Sequence, residues 1–173
     1  MAYKRLWVLL EGNDDERFFE KVVKPMFENT YDFVRSWRYA QKKSTKAKDF
    51  LRAIKSMGSD YFVWGDINSV PCVTAKRERL LGHYNQILDV ENIIVVIREI
   101  ESWYLAGLDD KNCKEFGIRT FKKTDNVTKE EFDKIIPKKF ESRIDFMVEI
   151  LKRFSIRTAL QKNKSFSYFM SRI

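Results

Sequence analysis

The clearest pattern along the chain is a series of short apolar runs separated by stretches whose apolar residues recur every three or four positions. Leu6-Trp7-Val8-Leu9-Leu10 contains no polar residue, and neither does Ile93-Ile94-Val95-Val96-Ile97. Uninterrupted runs of this length suit strands buried on both faces, which is the situation inside a parallel sheet. The pattern predicts strands over residues 4–11, 61–64 and 92–97. A half-buried strand is expected over 31–40, where Tyr31, Phe33, Trp37 and Tyr39 alternate with a slip in phase.

Helical spacing takes over between these runs. Phe18, Phe19, Val22, Val23 and Met26 predict a helix over 15–27, shortened or kinked at Pro25. Phe50, Leu51 and Ile54 predict another over 47–57, stopped by Gly58. Residues 71–88 read as a helix with a basic start, and 98–106 as the start of a further helix. Strand and helix in alternation, joined by short turns, imply an α/β fold: a mostly parallel, Rossmann-like sheet with helices on both faces. After Gly107 the character changes. Residues 109–173 offer no strand and several helical stretches, notably 129–136, 143–154 and 165–173. The expected organisation is an α/β core over 1–108 and a helical C-terminal extension over 109–173 packed on the same domain.

Composition narrows the function classes. Of 173 residues 44% are hydrophobic, enough for a core that hides roughly two-thirds of the unfolded surface. No apolar run approaches the roughly 20 residues that cross a bilayer, so no membrane association is expected. The first apolar run ends in Glu11 and lacks a small-residue cleavage site, which predicts a buried strand rather than a signal peptide and a cytoplasmic protein. A single histidine and two cysteines without C-x-x-C spacing argue against a His-based triad, a disulfide framework or a zinc site. Lysine and arginine total 33 against 25 acids, a net charge of +8 that favours encounter with polyanions such as nucleic acid. There is no P-loop, so any use of ATP would belong to a partner.

The candidate chemistry lies where strands end. The first strand closes on Glu11, the third on Asp66, and the fourth leads into Glu99 and Glu101. In an open parallel sheet the ligand crevice lies beyond the carboxyl ends of the strands. Carboxylates crowded there repel one another unless a cation or shared protons intervene. Oxygen-only donors suit Mg2+, with Mn2+ as the alternative, better than zinc or copper. Simpler roles stay open: Asp66 as a turn or cap residue, Asp14 as an N-cap, Asp15 and Glu16 as first-turn acids, Glu101 as an ordinary first-turn acid.

Leu9-Leu10-Glu11-Gly12-Asn13-Asp14-Asp15-Glu16 resembles the Val-Glu-Gly-x-x-Glu opening of the TOPRIM (topoisomerase–primase) domain as found in OLD-type nucleases and stand-alone, RloB-like members. Trp64-Gly65-Asp66-Ile67-Asn68 is similar to the family's Asp-x-Asp, with asparagine in the last place. Arg98-Glu99-Ile100-Glu101-Ser102-Trp103-Tyr104-Leu105 is similar to the Arg-Glu-Ile-Glu-x-Trp-Leu-Leu segment of the stand-alone group, and Lys164-Ser165-Phe166-Ser167-Tyr168-Phe169 to its closing Ser-Phe helix. The likeness spans about residues 4–106 and, more loosely, the last ten. It implies a magnesium-dependent nuclease in phage defence or DNA repair, with DNA or RNA as substrate. Glu11 and Asp66 would be catalytic, and Glu11, Asp15, Asp66, Asn68 and Glu101 would ligate one or two ions. Lys42, Lys43, Lys46, Lys76 and Arg77 are the candidates for holding phosphates. Asn68 gives up one negative charge relative to the family pattern. Two alternatives therefore stay open: a nucleic-acid-binding module that has lost cleavage, and an adaptor subunit of a partner ATPase.

Overall fold

The computed structural model describes residues 3–67 and 69–173. The chain divides into two compact units, the first ending at Val95 and the second spanning Val96–Ile173. Residues 96–108 therefore group with the helical region.

The first unit is built on strands β1 (Arg5–Leu10), β2 (Phe33–Arg38), β3 (Asp60–Asp66) and β4 (Ile93–Val96). They form one parallel sheet in the order β2-β1-β3-β4, a Rossmann-like α/β arrangement. β1 is central and β4 is buried at every position, as their apolar runs require. β2 lies at the edge and carries Arg35, Ser36 and Arg38, polar groups that discourage pairing with another chain. Its register against β1 runs unbroken from Arg5–Phe33 to Leu10–Arg38. The expected slip in phase is absent. Arg35 simply occupies the odd position between Phe33 and Trp37, with its guanidinium over the Phe33 ring.

Both faces of the sheet are covered. On one, Leu9, Tyr61, Val63, Ile93 and Val95 pack against the helices α3 (Ser44–Ser56) and α4 (Val73–His83). On the other, Phe18 and Phe19 stand edge-on to Trp64. They come from a segment that starts as α1 (Asn13–Phe18), passes through a π-helical turn (Phe19–Val23) and ends as α2 (Lys24–Phe27). Pro25 sits in the first turn of α2, directly after the π-helical turn, so the helical path continues through it. Proline has no N–H and its ring crowds the carbonyl four residues back, and the wider π turn just ahead relieves both.

Two boundaries differ from expectation. α3 begins three residues early, at Ser44. α4 stops at His83 because Asn85 and Gln86 take left-handed conformations, φ 50° and 59°, which end a helix. Gly58 closes α3 at φ 61° as expected.

The second unit contains α5 (Glu101–Ala106), α6 (Asp110–Phe116), α7 (Lys129–Lys134), α8 (Arg143–Lys152), α9 (Ile156–Lys162) and α10 (Lys164–Met170). α5 is its axis, buried at every residue. Trp103 donates from Nε1 to Ser165 Oγ at 2.8 Å and rests on Phe166 and Phe169. Phe116, Phe132, Phe140 and Phe146 form an adjoining aromatic cluster. Gly107 is where the chain leaves α5. A Cβ there would lie 2.1 Å from the Phe154 ring, so only glycine permits this approach. Asn163 joins α9 to α10: its Oδ1 accepts from Phe166 N, and its Nδ2 donates to Ser102 Oγ and Thr124 Oγ1. α6 and α9 were not foreseen individually. Among the described residues no helix is long and apolar enough to cross a membrane.

Candidate functional site: a buried carboxylate–ammonium pair

Glu11 follows the last residue of β1, and its side chain, 24% exposed, is held by partners from other elements of the first unit. Its Oε1 lies 3.3 Å from the ammonium of Lys76 and 3.1 Å from the Tyr39 hydroxyl. Lys76, on α4, is only 6% exposed. A buried ammonium is costly without a compensating charge, and Glu11 supplies it. Gly65 makes room for the pair: a Cβ at that position would sit 3.0 Å from Lys76 Cε and 3.4 Å from Glu11 Oε1. A glycine within a buried strand commonly marks such a close approach.

Two tyrosines finish the enclosure. The Tyr39 hydroxyl is shared between Glu11 and the Trp64 carbonyl, 2.9 Å away. Burial pushes its pKa well up, and the negative charges of Glu11 and Asp15 push it further, so the hydroxyl remains a donor. Tyr84 is pushed up to about 12 by burial and then by the charge of Glu11. Asp15, 5% exposed, turns its Oδ2 back onto Gly12 N at 3.0 Å and so closes the first turn of α1. Asp14, expected as a cap, lies inside that turn and pairs with Arg17 at 2.6 Å.

The other expected site residues are placed as follows. Asp66 is the half-buried last residue of β3, directly after Gly65. Asn68 lies outside the described residues. Lys42, Lys43 and Lys46 are exposed at the start of α3, and Arg77 is half-buried on α4. Glu101 belongs to the second unit, where it is 4% exposed and bound by Arg143, which also holds Asp133. Burial raises its pKa above the ordinary carboxylate value, against the lowering influence of Arg143. Glu99 accepts from Lys129 N at 2.5 Å and so tethers the start of α7. Arg98 before it takes a left-handed φ of 63°, a conformation that the reading of a continuous helix start did not foresee.

Among the described residues no three His, Cys, Asp or Glu side chains gather into a group able to hold a metal. The oxygen-only donors still suit magnesium, which binds through one or two carboxylates and completes its shell with water and phosphate oxygens. Glu11 and Asp66 would be the residues to hold it, and the Lys76 ammonium already occupies Oε1 of Glu11. Sequence reasoning missed Tyr39 and Tyr84 as part of the site and placed Lys76 among the phosphate-holding residues. The available signal was Gly65, the one glycine inside a buried strand. Comparison with family models, with curated proteins and with solved structures gave no match.

Proposed function

We propose that the chain is a TOPRIM-type phosphodiesterase acting on nucleic acid with magnesium. The observation that carries the reading is Glu11: a carboxylate directly after the apolar run Leu6–Leu10, held on one oxygen by a buried ammonium and a tyrosine hydroxyl. A solvated surface acid needs no such enclosure. In this reading Glu11 and Asp66 would hold the ion, with Asp15 buttressing the turn between strand and helix. Bound magnesium would polarise the phosphodiester and stabilise the leaving oxygen. Lys76 fixes the orientation of the Glu11 carboxylate and offsets one negative charge, so that phosphate approaches with less repulsion. Tyr39 keeps its proton and serves as a hydrogen-bond donor. Lys42, Lys43 and Lys46 lie exposed, as groups that meet a phosphate backbone must.

A second reading has its own observation in favour: Lys76 neutralises Glu11, and the described acids do not converge in a group of three. A TOPRIM-like module that binds nucleic acid without cutting it, alone or beside an ATPase, would need no more. One experiment separates the two. The purified chain and its Glu11→Gln variant are incubated with labelled single-stranded DNA, double-stranded DNA and RNA under Mg2+, Mn2+ or EDTA. Cutting that requires metal and vanishes in the variant is the expected result. Binding without cutting of any substrate overturns the phosphodiesterase reading in favour of the module.

A further inference from the structure

The second unit holds a cavity of about 620 Å³ between the 119–127 segment, α7 and the first turn of α10. Four cations line it, Arg119, Lys122, Lys123 and Lys164, against two acids, Asp125 and Glu131. Both acids are occupied by backbone amides. Asp125 Oδ1 accepts from Lys164 N at 2.6 Å, and Glu131 Oε2 accepts from Thr128 N at 3.2 Å in a capping box. Among the described residues none of the four cations is in an ion pair, whereas Arg143, Arg153 and Lys162 of the same unit are. Lys123 donates only to a neutral carbonyl, that of Gln161, and Arg119 lies over the Phe121 ring, 4.8 Å from its centre. Four cations against two acids leave the lining with an excess of positive charge, an arrangement that an anionic ligand relieves.

The wall is held in place. Thr124 N donates to Lys162 O at 2.9 Å, Asn163 Nδ2 reaches Thr124 Oγ1 at 3.1 Å, and Phe121 and Val127 are buried. The volume lies within the range typical of small-molecule sites. Thr120 and Asn126 add a hydroxyl and an amide to the rim.

We propose that this cavity binds phosphate groups, either consecutive phosphates of a single nucleic-acid strand or the polyphosphate of a free nucleotide. Binding there does not require the Glu11 site to cleave anything.

The test is binding in EDTA, which keeps any metal-dependent cleavage out of the measurement. The full chain is titrated with tripolyphosphate, with ATP and with a fluorescein-labelled single-stranded oligothymidylate at several salt concentrations. Lys122→Gln/Lys164→Gln is compared with Lys114→Gln/Lys138→Gln, which removes the same charge from exposed lysines outside the cavity. Each phosphate contact contributes roughly 0.7 to the salt slope of single-strand binding, so the cavity variant is expected to lose about 1.4 of that slope and about tenfold or more in affinity. The control variant keeps wild-type behaviour. Displacement of the oligonucleotide by tripolyphosphate identifies a strand backbone as the source. Binding of ATP and tripolyphosphate without the oligonucleotide identifies a free nucleotide. Absence of binding by all three probes, or equal weakening in both variants, overturns the proposal. A chain that binds in EDTA yet never cuts with metal refutes only the phosphodiesterase reading. A chain that cuts but binds through the cavity no better in wild type than in the variant refutes only this one.

Discussion

Arg143→Met is the substitution whose cost follows most directly from the structure. Arg143 is the counter-ion of Glu101 in the fully buried α5, and its guanidinium also lies over the Phe132 ring. Methionine keeps most of the stem and the contact with Phe132 while removing the charge. Loss of the Asp133 pair should matter little, because Asp133 is 45% exposed and such pairs contribute under about 1 kcal/mol. Glu101 then has two courses. Remaining ionised and unpaired costs about 3–5 kcal/mol. Taking up a proton costs about 1.4 kcal/mol for each pH unit above its unfolded value of 4.5. At pH 8 that route costs about 5 kcal/mol and offers no relief, whereas at pH 5 it costs about 0.7 kcal/mol.

The sign is fixed by the same reasoning. A carboxyl whose folded pKa is raised binds more protons folded than unfolded, so its contribution to stability falls as pH rises above the ordinary carboxylate range. In wild type Arg143 limits that fall, and in the variant it is steeper. The expected loss is about 3–5 kcal/mol at pH 8, or about 6–20 °C in Tm for a chain of this size, and about 1 kcal/mol at pH 5. Urea unfolding followed by far-ultraviolet circular dichroism, with wild type at both pH values, measures it. An equal loss at pH 5 and pH 8 would refute the electrostatic account and assign the role of Arg143 to packing.

Gly107→Ala places a methyl inside the Phe154 ring contact and should cost at least about 1–3 kcal/mol; Gly107→Ala/Phe154→Leu should be less destabilised than the sum of its parts, and a neutral Gly107→Ala would show that the chain can move away. Lys76→Met strands the Glu11 carboxylate and should cost about 1–3 kcal/mol, reduced by partial solvent access, with Glu11→Gln/Lys76→Met recovering much of it. Strict additivity in that double-mutant cycle would mean that the pair is not coupled. Asp89 is held below its ordinary pKa by Lys55 first and by the Tyr61 hydroxyl, so its stabilisation is present above the carboxylate range and lost as pH falls through the folded value. Because its side chain is 42% exposed, Asp89→Asn should cost under about 1 kcal/mol near neutral pH and nothing at pH 2; a loss that persists in acid would exclude the charge as its origin.

The sheet was legible because strands buried on both faces are apolar throughout, and the short runs Leu6–Leu10, soon followed by the turn residues Gly12-Asn13, and Ile93–Val96, β-branched at every position, fit a strand better than a helix. The turns were less so. The end of α4 depends on left-handed Asn85 and Gln86, which a helical hydrophobic pattern does not announce. α6 and α9 span two turns each behind Asp109 and Ser155 caps, too short for periodicity to register. Of the site, Glu11 was visible as an acid at the end of an apolar run. Its partners were not, because Tyr39, Gly65, Lys76 and Tyr84 meet only through the β1–β3 and β1–β2 pairings, and nothing local in the sequence marks Lys76 as buried. Glu101 was legible as a first-turn acid and a candidate ligand. That it answers to Arg143, 42 residues away, was not.

Asn163 has a consequence for how the protein is made. Its side chain bonds Ser102 and Thr124, 61 and 39 positions earlier, so the knot at its amide closes only after most of the second unit has been synthesised. Contacts of such high sequence separation slow folding in a region whose helical content alone would suggest speed. Strands β1 to β3 and their helices, by contrast, complete their pairings before residue 96. On the ribosome, at about 5–20 residues per second, the first unit has several seconds to fold while the second still lacks its last helix. During that interval Trp103, Tyr104 and the rest of α5 remain without their cover, and they are the segment on which a chaperone would be expected to act.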